Sequence, residues 1–117
     1  MRVDMFRVVL TDEALDFIHS IPHSAADKMN YNIHRVMAGE RDKEIFKKLE
    51  NTEIWEFRAQ YNKIAYRLFA FWDKDEKTLI IATHGIIKKR QKTQKKEILK
   101  AEAIRKEYFK NKYLWHR

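Results

Sequence analysis

Cysteine is absent from this 117-residue chain, and glycine and proline are scarce, with two glycines and one proline. Without cysteine, a disulfide framework, a thiolate metal site and a cysteine nucleophile are excluded. Two glycines cannot build the usual phosphate-binding loops, so ATP and nicotinamide chemistry are not expected. The histidines and carboxylates show no ligand spacing, and no nucleophile elbow is present. We therefore predict neither a metal nor a cofactor.

Long apolar runs are also missing from the chain. None approaches the roughly 18 residues that a membrane-spanning helix needs, and charged side chains interrupt the apolar residues at positions 1–10. No tract rich in glycine, serine or proline marks a linker, so we expect one domain over residues 1–117. The prediction is a soluble, cytoplasmic protein with no membrane contact.

Positive charge is abundant, but it is concentrated in one segment. Of the 25 Lys and Arg residues, 11 lie within residues 88–112, where only three Glu oppose them, whereas residues 1–87 are nearly neutral. A basic loop and helix of this kind is typical of a surface that binds a nucleic-acid backbone. A solvated helix face that binds nothing is the alternative that the charge pattern leaves open.

Two helices are predicted after a short strand over residues 6–10. Thr11 or Asp12 can cap the first helix, and Ser24 can cap the second. A proline separates the two helices, and Gly39 lies where the second is expected to end. Their predicted core residues are Leu15, Phe17, Ile18 and Ile21 in the first helix and Ala26, Met29, Ile33, Val36 and Met37 in the second.

Three strand-like runs follow, at residues 54–60, 64–72 and 78–87. Because both connections are short, we expect an antiparallel meander. A long helix then begins near Thr93, and its apolar stripe consists of Ile98, Ala101, Ile104 and Tyr108. The order β-α-α-β-β-β-α predicts an α+β fold in which a helical hairpin packs on a small antiparallel sheet beside a C-terminal helix, with all helices on one side of the sheet.

Arg67 interrupts the apolar run of the central predicted strand. An arginine at such a position must be paired or must face a groove or ligand. Glu56, on the preceding strand, offers the paired alternative. Arg58 lies two residues beyond Glu56 and shares its face, so both arginines can line one cleft. Their planar, permanently charged forks are suited to holding a phosphate.

Three further residues are candidates for the same cleft. Lys88 and Lys89 follow the last predicted strand directly, although lysine runs of this kind often only solubilise a surface. His84, near the end of that strand, is the one histidine whose predicted position could join the arginines.

Several short motifs between residues 54 and 101 resemble the RelE/HigB-like toxins of type II toxin–antitoxin systems, and the resemblance extends over about residues 6–108. The resemblance is to the phage-derived branch of the RelE/ParE superfamily, and their order and spacing carry it more than any one motif does. The motifs are IWEFR at 54–58, YRLF at 66–69, HGIIKK at 84–89, TQ at 93–94 and EI at 97–98, followed by Ala101.

The resemblance implies a RelE-like fold and an mRNA interferase, an endoribonuclease that cleaves mRNA on the ribosome without a metal. In that chemistry the 2′-hydroxyl of the substrate attacks the adjacent phosphate. The implied partners are mRNA, the ribosome and an antitoxin of the helix-turn-helix type. The implied catalytic residues are Arg67, Arg58, Lys88, Lys89 and His84, and the residues expected to attract the RNA backbone are Arg90, Lys92, Lys95 and Lys96.

One departure from the family pattern concerns proton transfer. Family members often place a tyrosine or histidine near the start of the last helix, whereas residues 90–95 contain neither. His84 is the nearest substitute, and lysine-assisted chemistry is another possibility. A non-catalytic RNA- or DNA-binding module therefore stays open as an alternative function, and so does a subunit whose basic helix pairs with an acidic protein.

Overall fold

A computed structural model describes residues 3–89 and 92–115 of the chain. Its elements follow one another as predicted, except for one additional short strand. They are β1 (Arg7–Leu10), α1 (Asp12–Ser20), α2 (His23–Met37), β2 (Phe46–Lys48), β3 (Trp55–Tyr61), β4 (Ile64–Trp72), β5 (Leu79–Lys88) and α3 (Lys95–Trp115). Within these described ranges, no helix is long and apolar enough to span a bilayer.

The five strands form one sheet in the order β1-β5-β4-β3-β2. Strands β3, β4 and β5 form the predicted antiparallel meander, and the α+β class is confirmed. The sheet is mixed, however, because β1 pairs with β5 in parallel after the chain has crossed over through α1 and α2. The unpredicted β2 has only three residues, too few for an alternating pattern, and it exists through its pairing with β3.

Helix α1 begins at the predicted cap Thr11. The Thr11 hydroxyl accepts a hydrogen bond from the Ala14 amide and donates one to the Thr83 carbonyl, so it joins the helix to β5. Ala14 and Ile18 point into the core, one helical turn apart. The prediction that Leu15 faces inward is wrong, because this orientation turns Leu15 towards solvent, where it is 41% exposed.

Helix α2 begins at His23, two residues before the start that a Ser24 cap predicts. Pro22 precedes its first turn and no side-chain cap bond forms, so the prediction of a Ser24 cap is wrong. The predicted stop at Gly39 is confirmed: its φ of 95° is left-handed, and its amide donates to the Val36 carbonyl at 2.8 Å.

The helices cover both faces of the sheet, so the prediction that they share one side is wrong. Helices α1 and α2 pack against the face that carries Leu68 and Ala70 of β4, whereas α3 packs against the opposite face, with Phe69 and Phe71. The physical reason is that β4 is apolar on both faces, and each face needs a covering layer. Arg67 lies on the α3 face, beyond these phenylalanines.

Candidate functional site

Arg58 and Arg67 are the centre of a cationic cluster on the α3 face of the sheet. They are direct partners across the antiparallel β3–β4 ladder, so their side chains leave the sheet side by side. Two like charges in this arrangement repel each other unless an anion lies between them. The structure therefore brings the two arginines together on one face of the sheet, and their role in a site stays a prediction.

Glu56 supplies a single carboxylate to this arginine pair. The residue is 2% exposed, and its Oε1 lies 3.6 Å from Arg58 Nε and 3.5 Å from Arg67 Nε. Its Oε2 accepts a hydrogen bond from the Thr93 hydroxyl at 3.2 Å. The ion pair expected as the alternative role of Arg67 therefore exists, but one carboxylate serves two guanidinium groups.

The two guanidinium groups are held by backbone carbonyls as well. Arg58 Nη1 donates to the Lys43 carbonyl at 3.1 Å, and Arg67 Nη1 donates to the Tyr66 carbonyl at 3.0 Å. Among the described residues, neither buried Nε finds a hydrogen-bond partner of good geometry. Burial, followed by the charge of Arg58, lowers the pKa of Arg67. These contacts involve the Nη1 and Nε atoms of both arginines.

Lys88 extends the cationic cluster onto β5. It pairs with Ala65, two residues before Arg67, and so lies on the same face. Burial lowers the pKa of Lys88, the nearby arginines lower it further, and Glu56 opposes the shift. Lys89 follows as an exposed residue at the end of the strand.

A cavity of about 230 Å³ opens beside the arginine pair at the edge of β3. Helix α2 forms its second wall, and Asn32 of that helix donates to the Arg58 carbonyl at 2.8 Å. Sequence reasoning missed this wall, although polar residues recur on α2 at helical spacing. The residues lining the cavity are Lys28, Asn32, Arg35, Glu44, Ile45, Arg58, Ala59, Gln60 and Arg67.

A second cavity, of about 180 Å³, lies between the end of β5 and the segment that leads into α3. Arg67 lines the first cavity and Thr93 lines the second, and Glu56 contacts both residues. The side chains around the second cavity are Ile86, Ile87, Lys88, Lys89, Lys92, Thr93, Gln94 and Glu97.

His84 shares the sheet face with Arg67 but lies beneath α3. It is 3% exposed, with Nδ1 3.0 Å from the Thr83 hydroxyl and Nε2 3.3 Å from Glu97 Oε1. Burial, and then the charge of Lys100, lowers the pKa of His84. The structure brings His84 to the predicted face, where it is buried and contacts Glu97 of α3, so its role as a proton carrier stays a prediction.

The remaining predicted contacts lie around the start of α3. Lys92, Lys95 and Lys96 are exposed there, close in the chain to the Thr93 contact with Glu56. Arg90 lies outside the described residues. Within residues 3–89 and 92–115, no three His, Asp or Glu side chains are grouped in a way that could hold a metal ion.

The sequence of this chain matches a known protein family. A family model described as "Phage derived protein Gp49-like (DUF891)" matches residues 16–106, which is most of the chain. The chain belongs to this Gp49-like family. No curated protein sequence matches the Gp49-like chain.

Solved structures resemble the Gp49-like protein in fold. A mutant of the Escherichia coli toxin RelE in the free state matches with a TM-score of 0.62 at 13% identity, covering 88% of this chain and 98% of that one. The toxin–antitoxin complex RelBE2 from Mycobacterium tuberculosis matches with a TM-score of 0.47 at 19% identity, covering 77% of this chain and 98% of that one. The match to RelE, with its TM-score of 0.62, shows that the Gp49-like protein has the RelE fold.

Proposed function

We propose that this Gp49-like protein is the toxin of a toxin–antitoxin system and an endoribonuclease that cleaves mRNA on the ribosome. The observation that carries the proposal is the Arg58–Arg67 pair, a half-buried and a buried guanidinium group that lie side by side and share the Glu56 carboxylate. An RNA phosphate entering the cavity at the β3 edge would supply the missing negative charge. The RelE fold supports the same proposed function.

Cleavage would proceed by attack of the substrate's 2′-hydroxyl on the adjacent phosphorus, without a metal. Negative charge accumulates on the non-bridging oxygens in the transition state, and the Nη2 ends of Arg58 and Arg67 would bind those oxygens. Planar guanidinium groups suit this role because each can donate two parallel hydrogen bonds.

Proton transfer would involve the residues at the end of β5. Lys88 is the better placed donor for the departing 5′-oxygen, since a lowered pKa makes an ammonium group a stronger acid near neutral pH. Lys89 would assist by holding phosphate. His84 would take part only if the first turns of α3 move away from it, because Glu97 and the helix cover it in this conformation.

The basic residues around the start of α3 would attract the RNA backbone to this centre. Contacts of this kind are independent of sequence and weaken with salt. We assign the role to Arg90, Lys92, Lys95 and Lys96. The proposed partners are mRNA, the ribosome and a helix-turn-helix antitoxin that covers the basic cleft, and the proposed location is the cytoplasm.

Induced expression in bacteria tests the proposal. Wild-type protein should arrest growth and fragment mRNA, whereas Arg67→Ala should do neither, because losing about 2 to 4 kcal/mol of transition-state stabilisation slows cleavage on the order of a hundredfold or more. Arg7→Ala is the matched control, since Arg7 is exposed and pairs with Glu76 away from the site. A folded Arg67→Ala protein that remained as toxic as wild type would disprove the assigned centre.

A second candidate function is a basic RNA-binding module without catalysis. The burial of His84 favours it, because the predicted proton carrier cannot reach a substrate in this conformation. Under this alternative, mRNA stays intact after induction while the purified protein binds RNA with a strong salt dependence.

A further inference from the structure

We propose that Glu56 is a positioning residue that aligns Arg58 and Arg67 on one phosphate, an inference that rests on the proposed function. Glu56 does not need to touch the substrate for this role. Its carboxylate is nearly inaccessible and lies on the Nε side of both guanidinium groups. The opposite sides of the two forks are the ones that would meet the RNA.

The geometry of the two forks supports this role. Each guanidinium donates a hydrogen bond from Nη1 to a backbone carbonyl, and the buried Glu56 carboxylate forms an ion pair with its Nε at 3.5 to 3.6 Å. The hydrogen bond and the fixed charge together restrict rotation of the planar group, so they favour one direction of its Nη2 before substrate arrives. Preorganisation of this kind lowers the cost of reaching the transition state.

Glu56 also connects the arginine pair to the second cavity. Its Oε2 holds Thr93 in the segment that leads into α3, and its charge acts on Lys88. The carboxylate therefore joins β3 and β4 with the segment that carries the basic approach residues. Losing it should disturb the relative placement of both walls of the site.

The charge of Glu56 should affect anion affinity and cleavage rate in opposite directions, which a purely structural ion pair would not do. Removing its charge makes the cluster more positive, so an anion should bind more tightly. The same change lets the two arginines repel each other and move apart, so cleavage should slow. Tighter binding and slower turnover together mark a positioning role, whereas simple loss of structure weakens both.

The experiment compares wild type, Glu56→Gln and Glu56→Asp. Binding is measured with an oligonucleotide carrying 2′-deoxyribose, which cannot undergo 2′-hydroxyl attack, and kcat is measured on the matching RNA bound to ribosomes. For Glu56→Gln we expect a Kd lower by about threefold and a kcat lower by about thirtyfold. Glu56→Asp keeps the charge, so its Kd should return to the wild-type value and its kcat should partly recover.

A matched control and a spectroscopic readout accompany these variants. Glu53→Gln removes an exposed carboxylate three residues earlier and should change neither Kd nor kcat. By NMR, the Nε–H protons of Arg58 and Arg67 should exchange slowly in wild type and in Glu56→Asp, and rapidly in Glu56→Gln. This readout does not depend on cleavage.

Each outcome separates the positioning claim from the proposed function. If wild type cleaves no RNA, the proposed function fails, and Kd and Nε–H exchange alone decide whether Glu56 positions the arginines. If wild type cleaves RNA and Glu56→Gln keeps its kcat or binds more weakly, the positioning claim is wrong. Should Glu56→Gln fail to fold, Thr93→Val replaces it: kcat should fall several-fold at unchanged Kd, and an unchanged kcat would overturn the claim.

Discussion

Arg58 and Arg67 are direct partners across the neighbouring strands β3 and β4, and both form an ion pair with the same buried carboxylate, that of Glu56. Like charges opposite each other in a sheet lower stability, and burial adds the cost of desolvation. The arginine pair therefore lowers the stability of the free protein, and an anion bound between the two guanidinium groups would offset this cost.

Inorganic phosphate should stabilise the protein against heat. Occupancy of the arginine pair at about ten times Kd adds about 1.4 kcal/mol, which raises Tm by about 3 °C or more for a chain of this size. The rise should disappear in Arg67→Met and persist in Arg7→Met. Differential scanning calorimetry, with chloride at equal ionic strength as the reference, measures it. A rise of the same size in both variants would place the phosphate elsewhere.

Helix α2 should contribute to RNA affinity through Lys28, which lines the cavity at the β3 edge. If Lys28 contacts a phosphate, Lys28→Ala should weaken binding of a single-stranded oligonucleotide. The slope of log K against log salt should then fall in magnitude by about 0.7. Lys74→Ala, in the exposed loop between β4 and β5, is the control. Equal slopes for wild type and Lys28→Ala would remove α2 from the interface.

Much of this site could be predicted from the sequence because strands β3 and β4 have clear alternation. The period of two placed Arg67 on the same face as Phe69 and Phe71, and the spacing of Glu56 and Arg58 put both on one face of β3. Gly39 also predicted the end of α2 correctly, because helices often end at a glycine with a left-handed backbone conformation.

The rest depended on tertiary packing that no local pattern records. In the sequence, Lys28 and Arg35 look like part of an ordinary solvent-facing stripe of a helix. They line the cavity because α2 packs beside the edge of β3. The burial of His84 follows from the path of α3, which brings Glu97 over it. The side of the sheet that α3 covers was mispredicted for the same reason, because its apolar stripe fits either face.

Gly85 should tolerate no larger side chain, because Phe17 of α1 packs directly on it. A Cβ at this position would lie 2.1 Å from a ring carbon of Phe17. Gly85→Ala should therefore lower the free energy of unfolding by about 2 to 3 kcal/mol. In a Phe17→Leu background the same change should cost less than about 1 kcal/mol. Urea unfolding of the double-mutant cycle measures the coupling, and additive effects would contradict the contact.

Asp73 should make the protein sensitive to acid. Burial alone would raise the pKa of Asp73, but hydrogen bonds from Lys112, Tyr108 and two backbone amides lower it well below the usual range. A lowered pKa means that this stability is present above the unfolded pKa of about 4 and is lost as pH falls below it.

The matching variants are Asp73→Asn and, as a control, Asp75→Asn at an exposed neighbour. Asp73→Asn should cost about 2 kcal/mol at pH 7 and should flatten the decline of Tm between about pH 4 and pH 2. Asp75→Asn should keep most of the wild-type decline. Equal declines in wild type and Asp73→Asn would mean that another group titrates.

His84 should make the folding stability depend on pH in a separate range, at higher pH than Asp73 does. Its lowered pKa means that the unfolded chain takes up a proton more readily, so stability is present above the unfolded pKa of about 6.5 and is lost as pH falls. His84→Gln should remove this slope between about pH 6.5 and pH 5. His23→Gln, at an exposed position, should not. Chemical unfolding at each pH provides the measurement, and a slope unchanged in His84→Gln would show that His84 titrates normally.

The most direct test of the central claim is cleavage of one RNA on ribosomes, beside the same RNA with a single 2′-deoxy substitution at the cleaved position. Wild type should cut only the unmodified RNA, leaving a 2′,3′-cyclic phosphate and a 5′-hydroxyl, and Arg67→Ala should cut it about a hundredfold more slowly. Cleavage of the 2′-deoxy substrate, or equal rates for wild type and Arg67→Ala, would contradict the account.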